Sequence, residues 1–261
     1  MELVSCLIAF AASTVGAICG IGGGVIIKPV MDAFGAMDVS AINFLSGCTV
    51  LCMTCYSVIK AKLAGDSQLE LSIDLPLAVG AAVGGLLGRV VYDQVAGLFP
   101  DPNTAGAVQA GVLLVITLGT FVYTLNKERI PTLDVRGPVA CLAIGLALGM
   151  SSAFLGIGGG PINLVVLFYF FSMQTKRAAQ SSLYIILFSQ ATSTASAVVA
   201  GGLAGVAPLM LVGMGACGIL GGVVGRRLNK GIDDRTVDKL FAGLMVVIML
   251  ICVYNMVKYL V

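Results

Sequence analysis

Two glycine clusters have the residue type and spacing to do chemistry. Gly20-Ile21-Gly22-Gly23-Gly24 and Gly156-Ile157-Gly158-Gly159-Gly160 are identical and lie 136 residues apart. Consecutive glycines let the backbone turn sharply and present bare N–H groups. A half-helix starting after such a break points its N-terminus, with its partial positive charge, at the break. Pro161 suits the first turn of such a helix, where no N–H is required. Two facing breaks would make an anion-binding pocket, with Gly20, Gly22, Gly23 and Gly24 on one side and Gly156, Gly158, Gly159 and Gly160 on the other. Close helix packing is the competing account of a single cluster. The second copy tips the balance toward a site.

Polar side chains form a second set. Asn43, Ser46, Gln180, Ser181 and Ser182 fall at the helix starts that follow the two broken segments, with Gln190, Thr192 and Thr194 deeper in the second helix. Asn43 and Gln180 correspond at an offset of 137. Buried amides and hydroxyls must face protein or a cavity. The plain alternative is interhelical hydrogen bonding, worth about 0.6 kcal/mol each in a membrane. Lys28 lies one turn beyond the first break and could draw anions inward. The favoured reading has its stem along the helix and its ammonium at the interface. Cys48, Cys52 and Cys55 share one helix face. Thiolates there would bind copper(I) or zinc. Small hydrophobes at a helix interface fit better, because the chain has no His and the second half has no matching cluster. Arg89 and Arg226 end matching segments and read first as interfacial anchors, second as anion attractors.

The elements that must hold these residues are membrane helices. The 261 residues are 58% hydrophobic and only 11% charged, with a mean hydropathy of +1.03. A soluble domain is about a quarter charged, so a water-facing surface cannot be built. The net charge of +2 gives no basis for a nucleic-acid partner. Six runs reach the roughly 20 apolar residues of a span: about 39–59, 73–92, 105–125, 178–200, 205–225 and 237–257. Two longer runs, about 3–36 and 138–172, contain the glycine breaks. Each is too long for one straight span and short for two. The first lacks the basic start of a signal peptide and is expected to be part of the fold. The eight cysteines sit mostly in apolar runs and are expected as free thiols.

The duplication extends beyond the glycines. Gly84-Gly85-Leu86-Leu87-Gly88-Arg89 matches Gly221-Gly222-Val223-Val224-Gly225-Arg226 at an offset of 137. The expected fold class is therefore an all-α integral membrane protein of two inverted repeats. Each repeat is a glycine-broken helical hairpin followed by three transmembrane helices. The repeats are residues 1–126 and 137–261, joined by a cytoplasmic linker at 127–136, and together form one transmembrane domain. Lys and Arg in short loops set the orientation. Lys60 and Lys62, the 127–136 linker, Lys176 and Arg177, and the Arg226–Arg235 stretch are expected in the cytoplasm; the loops at 93–103 and 200–205 face outside.

The doubled Gly-Ile-Gly-Gly-Gly, each copy early in a four-segment repeat, resembles the sulfite exporter TauE/SafE family, also called the toluene sulfonate uptake permease family. The resemblance spans essentially the whole chain. It implies a secondary transporter of small sulfur-containing anions such as sulfite, sulfonates or sulfoacetate. The family's small-polar pair at the start of the next helix is matched by Ser181-Ser182; the first half has Leu45-Ser46 there. Its proline after the glycines is matched by Pro29 and, displaced, by Pro161. A sulfonate offers three acceptor oxygens to the donors named above.

The function expected is alternating access around a midplane site. A soft-metal transporter using the three cysteines, or an anion channel, is the alternative. No P-loop motif is present, so ATP is not expected to power transport within this chain. An intramembrane enzyme ranks last: there is no His, no HExxH and no paired intramembrane carboxylates. No cofactor is expected. The partners are a small anionic substrate and the bilayer of a plasma or inner membrane, with a homo-oligomer left open.

Overall fold

The computed structural model describes residues 2–35, 37–99, 102–127, 129–202 and 206–260. Ten helices are found among them: α1 (Glu2–Cys19), α2 (Gly24–Phe34), α3 (Val39–Leu63), α4 (Leu71–Gly97), α5 (Pro102–Asn126), α6 (Pro138–Leu155), α7 (Pro161–Phe171), α8 (Thr175–Val199), α9 (Pro208–Gly231) and α10 (Asp234–Leu260). All but α2 and α7 are long and apolar enough to cross a membrane. The six full spans expected from sequence are α3, α4, α5, α8, α9 and α10. The expected start of α9 falls partly on residues 203–205, which lie outside the described residues; Pro208 opens the helix at its first turn. Each broken segment divides into an 18-residue helix and an 11-residue helix at its glycines.

Both broken segments fold back on themselves. In the second, the N–H groups of Leu133 and Val135 donate to the carbonyls of Tyr169 and Phe170 at 2.7 and 2.9 Å. The strand of chain entering α6 is thereby tied to the end of α7. In the first, α1 runs parallel to α9: Cys6 packs on Gly213, Phe10 and Ser13 on Gly221, and Thr14 and Ala17 on Gly225. Helix α10 then returns, and its Asn255 and Lys258 donate to the carbonyls of Pro29, Asp32 and Ala33 at the end of α2. So α2 ends where α1 begins. Eleven residues rise about 16 Å, half of a hydrocarbon core about 30 Å thick. The breaks therefore sit near mid-depth.

The helices pack in reciprocal pairs. The α4–α6 contact is the most extensive and the α1–α9 contact next, while α3 and α8 meet at the centre. Both outer pairs run parallel on glycine ridges. Gly80, Gly84 and Gly88 press against the backbone of Leu142, Leu146 and Met150, and Gly221 and Gly225 against that of α1. This is the backbone approach that small residues permit where lipid supplies no hydrophobic drive. The glycines before Arg89 and Arg226 thus form packing ridges. All eight cysteines are free.

Candidate functional site

Ending a helix at mid-depth leaves carbonyls without partners, which is costly in hydrocarbon. Here they are satisfied from inside the protein. The Gly16 carbonyl accepts from the N–H groups of Gly20 and Ile21 at 2.8 and 3.1 Å. Asn229 of α9 donates its amide to the Ile18 carbonyl at 2.6 Å. At the corresponding place in the second half, Gln109 of α5 donates to the Phe154 carbonyl at 2.6 Å. Gly20, Gly22, Gly156 and Gly158 all take left-handed φ angles, between 65° and 76°. Those angles make the turns. Pro161 occupies the first turn of α7, as expected.

The two breaks face each other. A side chain on Gly22 would lie 3.0 Å from the Gly158 carbonyl, and one on Gly24 would overlap the Ile157 carbonyl. Val50 of α3 and Ile186 of α8 wedge against both breaks. Backbone and these two side chains fill the space between the breaks, where sequence predicts a pocket. The Ser46 hydroxyl lies 2.9 Å from the Gly24 Cβ position, and Ser13 covers Gly23 at 3.0 Å. The hydroxyls of Ser13, Ser46 and Ser182 are fully buried without a hydrogen-bond partner among the described residues. Ser181 is buried beside Asp74. Gln190 inserts its amide between Gly158 and Gly47.

The open space lies to one side. A cavity of about 420 Å³ is lined by Ala17, Ser57, Val58, Ala61, Asp66, Gln68, Leu69, Lys176, Ala179, Gln180, Leu183, Arg226, Asn229 and Lys230. Its inner wall reaches the first break through Ala179, which packs on Gly20. It opens at the end of the molecule where Lys60, Lys62, Lys127, Arg177, Arg226 and Lys230 gather. A second space, of about 20 Å³, is lined by residues including Asn43, Gly47, Arg89, Ala153, Gly156, Gln190, Ser193, Thr194 and Ala197. The two linings correspond. Asn43 and Arg89 match Gln180 and Arg226 at an offset of 137, and Ala153, Ser193, Thr194 and Ala197 match Ala17, Ser57, Val58 and Ala61 at an offset of 136. In the small space the Asn43 amide lies on Gly156. In the large one Gln180 is turned away from the break.

Gln180 accepts the N–H of Gln68 at 2.8 Å and donates to the Asp66 carbonyl at 3.3 Å, holding the loop between α3 and α4. The Asp66 carboxylate bridges Arg226 and Lys230 at 2.5 Å each. Hydrogen bonding from Lys230, joined by Arg226, holds its carboxyl below the usual range. Nearby, Glu70 pairs with Arg177 at 2.7 Å, and the Ser72 hydroxyl and Arg177 hold its carboxyl low as well.

One expectation from sequence, the interfacial Lys28, needs correction. Lys28 does not reach the interface. It is buried, with its ammonium 3.0 Å from the buried carboxylate of Asp32. Four residues apart on one helix, the two neutralise each other, and an exposed ammonium would leave Asp32 as an unpaired buried charge. Its attraction for an anion is offset accordingly. Asp74, in the first turn of α4, is buried and accepts the Glu70 N–H at 2.7 Å. Arg226 and Arg89 each line one of the two matched spaces. Sequence reasoning missed Asp66, Asn229 and Ser13. No local pattern marks them: Asp66 meets Arg226 across 160 residues and Asn229 meets Ile18 across 211.

The family model described as "Sulfite exporter TauE/SafE" matches residues 5–251. The chain is 24% identical to "Probable membrane transporter protein YunE" of Bacillus subtilis over 91% of this chain and 92% of that protein. It is 25% identical to "Probable membrane transporter protein MamO" of Magnetospirillum gryphiswaldense over 93% of this chain. It spans 43% of that relative's length. No solved structure matches the chain. With nearly its whole length covered, the chain belongs to the sulfite exporter TauE/SafE family of membrane transporters.

Proposed function

We propose that the chain is a secondary transporter of small sulfur-containing anions, of the size of sulfite, a short sulfonate or sulfoacetate. It works by alternating access around the glycine breaks. The halves, 1–126 and 137–261, act as inverted repeats joined by the linker at 127–136, and the Lys- and Arg-rich end faces the cytoplasm. The observation that carries this reading is the pair of matched spaces, one about 420 Å³ and one about 20 Å³, on opposite sides of the breaks. Exchanging their shapes would pass access from one face to the other. The anionic substrate is supported by the cations Lys176, Arg226 and Lys230 along the open vestibule and by the family's description. The binding set is Gly20, Gly22, Gly23, Gly24, Asn43, Ser46, Gly156, Gly158, Gly159, Gly160, Gln180, Ser181 and Ser182. Within it, the unpartnered Ser46 and Ser182 hydroxyls supply donors once the breaks separate. In proteoliposomes, flux of sulfite, thiosulfate or methanesulfonate is expected to saturate and to exceed that of protein-free vesicles. No stimulated flux for any of the three sinks the reading.

A further inference from the structure

Arg226 and Lys230 face an open, partly polar cavity, where a small anion would bind two cations at once. Asp66 already holds that position. Its carboxylate contacts both at 2.5 Å, and its side chain is one-third exposed to the cavity. It comes from a loop, not from the helix that carries the cations. The loop is further tied to α8 by the paired hydrogen bonds of Gln180 with the Gln68 N–H and the Asp66 carbonyl and, at its end, by the ion pair of Glu70 with Arg177. At the other end of the molecule the arrangement differs. Arg89, the counterpart of Arg226, is neutralised within its own helix by Asp93 at 3.2 Å. There Asn43, the counterpart of Gln180, lies over the break at Gly156.

We propose that Asp66 is a tethered counter-anion of the transport site. A small oxyanion or sulfonate displaces its carboxylate from Arg226 and Lys230, and the loop at 64–70 then releases Gln180. The freed amide moves onto the break at Gly20, as Asn43 lies on Gly156, and the vestibule closes behind the anion. An unliganded vestibule is held open by the loop's own carboxylate. The charges permit this exchange, because an anion with two or more acceptor oxygens repeats both contacts of the carboxylate it replaces. The inference rests on the transport reading for its purpose, though displacement itself is a binding event and is measurable without flux.

The experiment uses the full chain in detergent. Leu69, half-buried in the vestibule wall, is replaced by Cys and labelled with N-ethylmaleimide, with the parent protein as background. Leu69 belongs to the loop that is released, unlike Val58 of α3, so adding methanesulfonate or sulfate is expected to speed its labelling several-fold and saturably. In Asp66→Asn the rate is expected to be raised already and to respond little to either anion. Arg226→Gln should behave likewise, which covers the case of an unstable Asp66 variant. A rate that stays flat with both anions, or an Asp66→Asn and an Arg226→Gln protein each as slow as the parent, overturns the proposal. Absent flux with intact displacement counts against transport and leaves the counter-anion role standing.

Discussion

At the residue scale, the glycines divide by what a side chain would meet, and type alone does not show the division. Gly156 has a φ of 65°, and a Cβ there would overlap the Asn43 amide. Gly119 lies in the middle of α5, and among the described residues nothing comes within 4 Å of a Cβ placed there. We expect Gly156→Ala to lose about 1–2 kcal/mol from the left-handed backbone alone, with the clash added to it. Gly119→Ala should be neutral or slightly stabilising, since Ala is the better helix former. Thermal melts of the two purified variants check this; equal melting points would mean that the break is not held as described. The glycine clusters themselves were legible in the sequence because their repetition is exact. The pairing of Lys28 with Asp32 had a local signal, four residues on one helix, although the favoured sequence reading sets the ammonium at the interface instead. Asp66 had no such signal. It meets Arg226 across 160 residues, and no local pattern announces such a contact.

At the element scale, the question is how α1 and α6 can stop inside the bilayer. Glycines permit the turn, but they do not satisfy the carbonyls left behind. Asn229 and Gln109 do so, reaching Ile18 and Phe154 from α9 and α5. Those two acceptors lie 136 residues apart, so both halves solve the same problem. The donors are not at matching positions, which is why the duplication alone could not reveal them. Asn229→Leu and Gln109→Leu should each cost about 1–3 kcal/mol, the penalty for leaving a buried polar group unmade. Measured as unfolding in mild detergent, a loss no larger than that of Val112→Leu, an exposed apolar exchange on α5, would refute the capping role. The element boundaries were more accessible to sequence reasoning. The 18- and 11-residue limbs follow from where the glycines fall, and hydropathy finds each full span to within a few residues. Hydropathy could not tell that the ends of a broken segment meet. That depended on loop charge, and the ties from Leu133 and Val135 to α7 now place both ends of the second segment together.

At the scale of the whole molecule, the proposed alternating access predicts two matched cavities of unequal size in either access state. Val58 and Thr194 are counterparts at an offset of 136, one lining the larger cavity and the other the smaller. Both are half-buried, so a cysteine at either is a fair reporter. A membrane-impermeant thiol reagent should reach Val58→Cys from the basic face in the resting protein. From the opposite face it should reach Thr194→Cys slowly at rest and faster when a transported anion is supplied on the basic side. The same anion should slow labelling of Val58→Cys, because the two states exclude each other. This reciprocity separates alternating access from a channel, in which a continuous pore would leave both positions reactive together. If Thr194→Cys and Val58→Cys rise and fall in parallel, the inverted-repeat mechanism is wrong, and the small cavity is a packing gap.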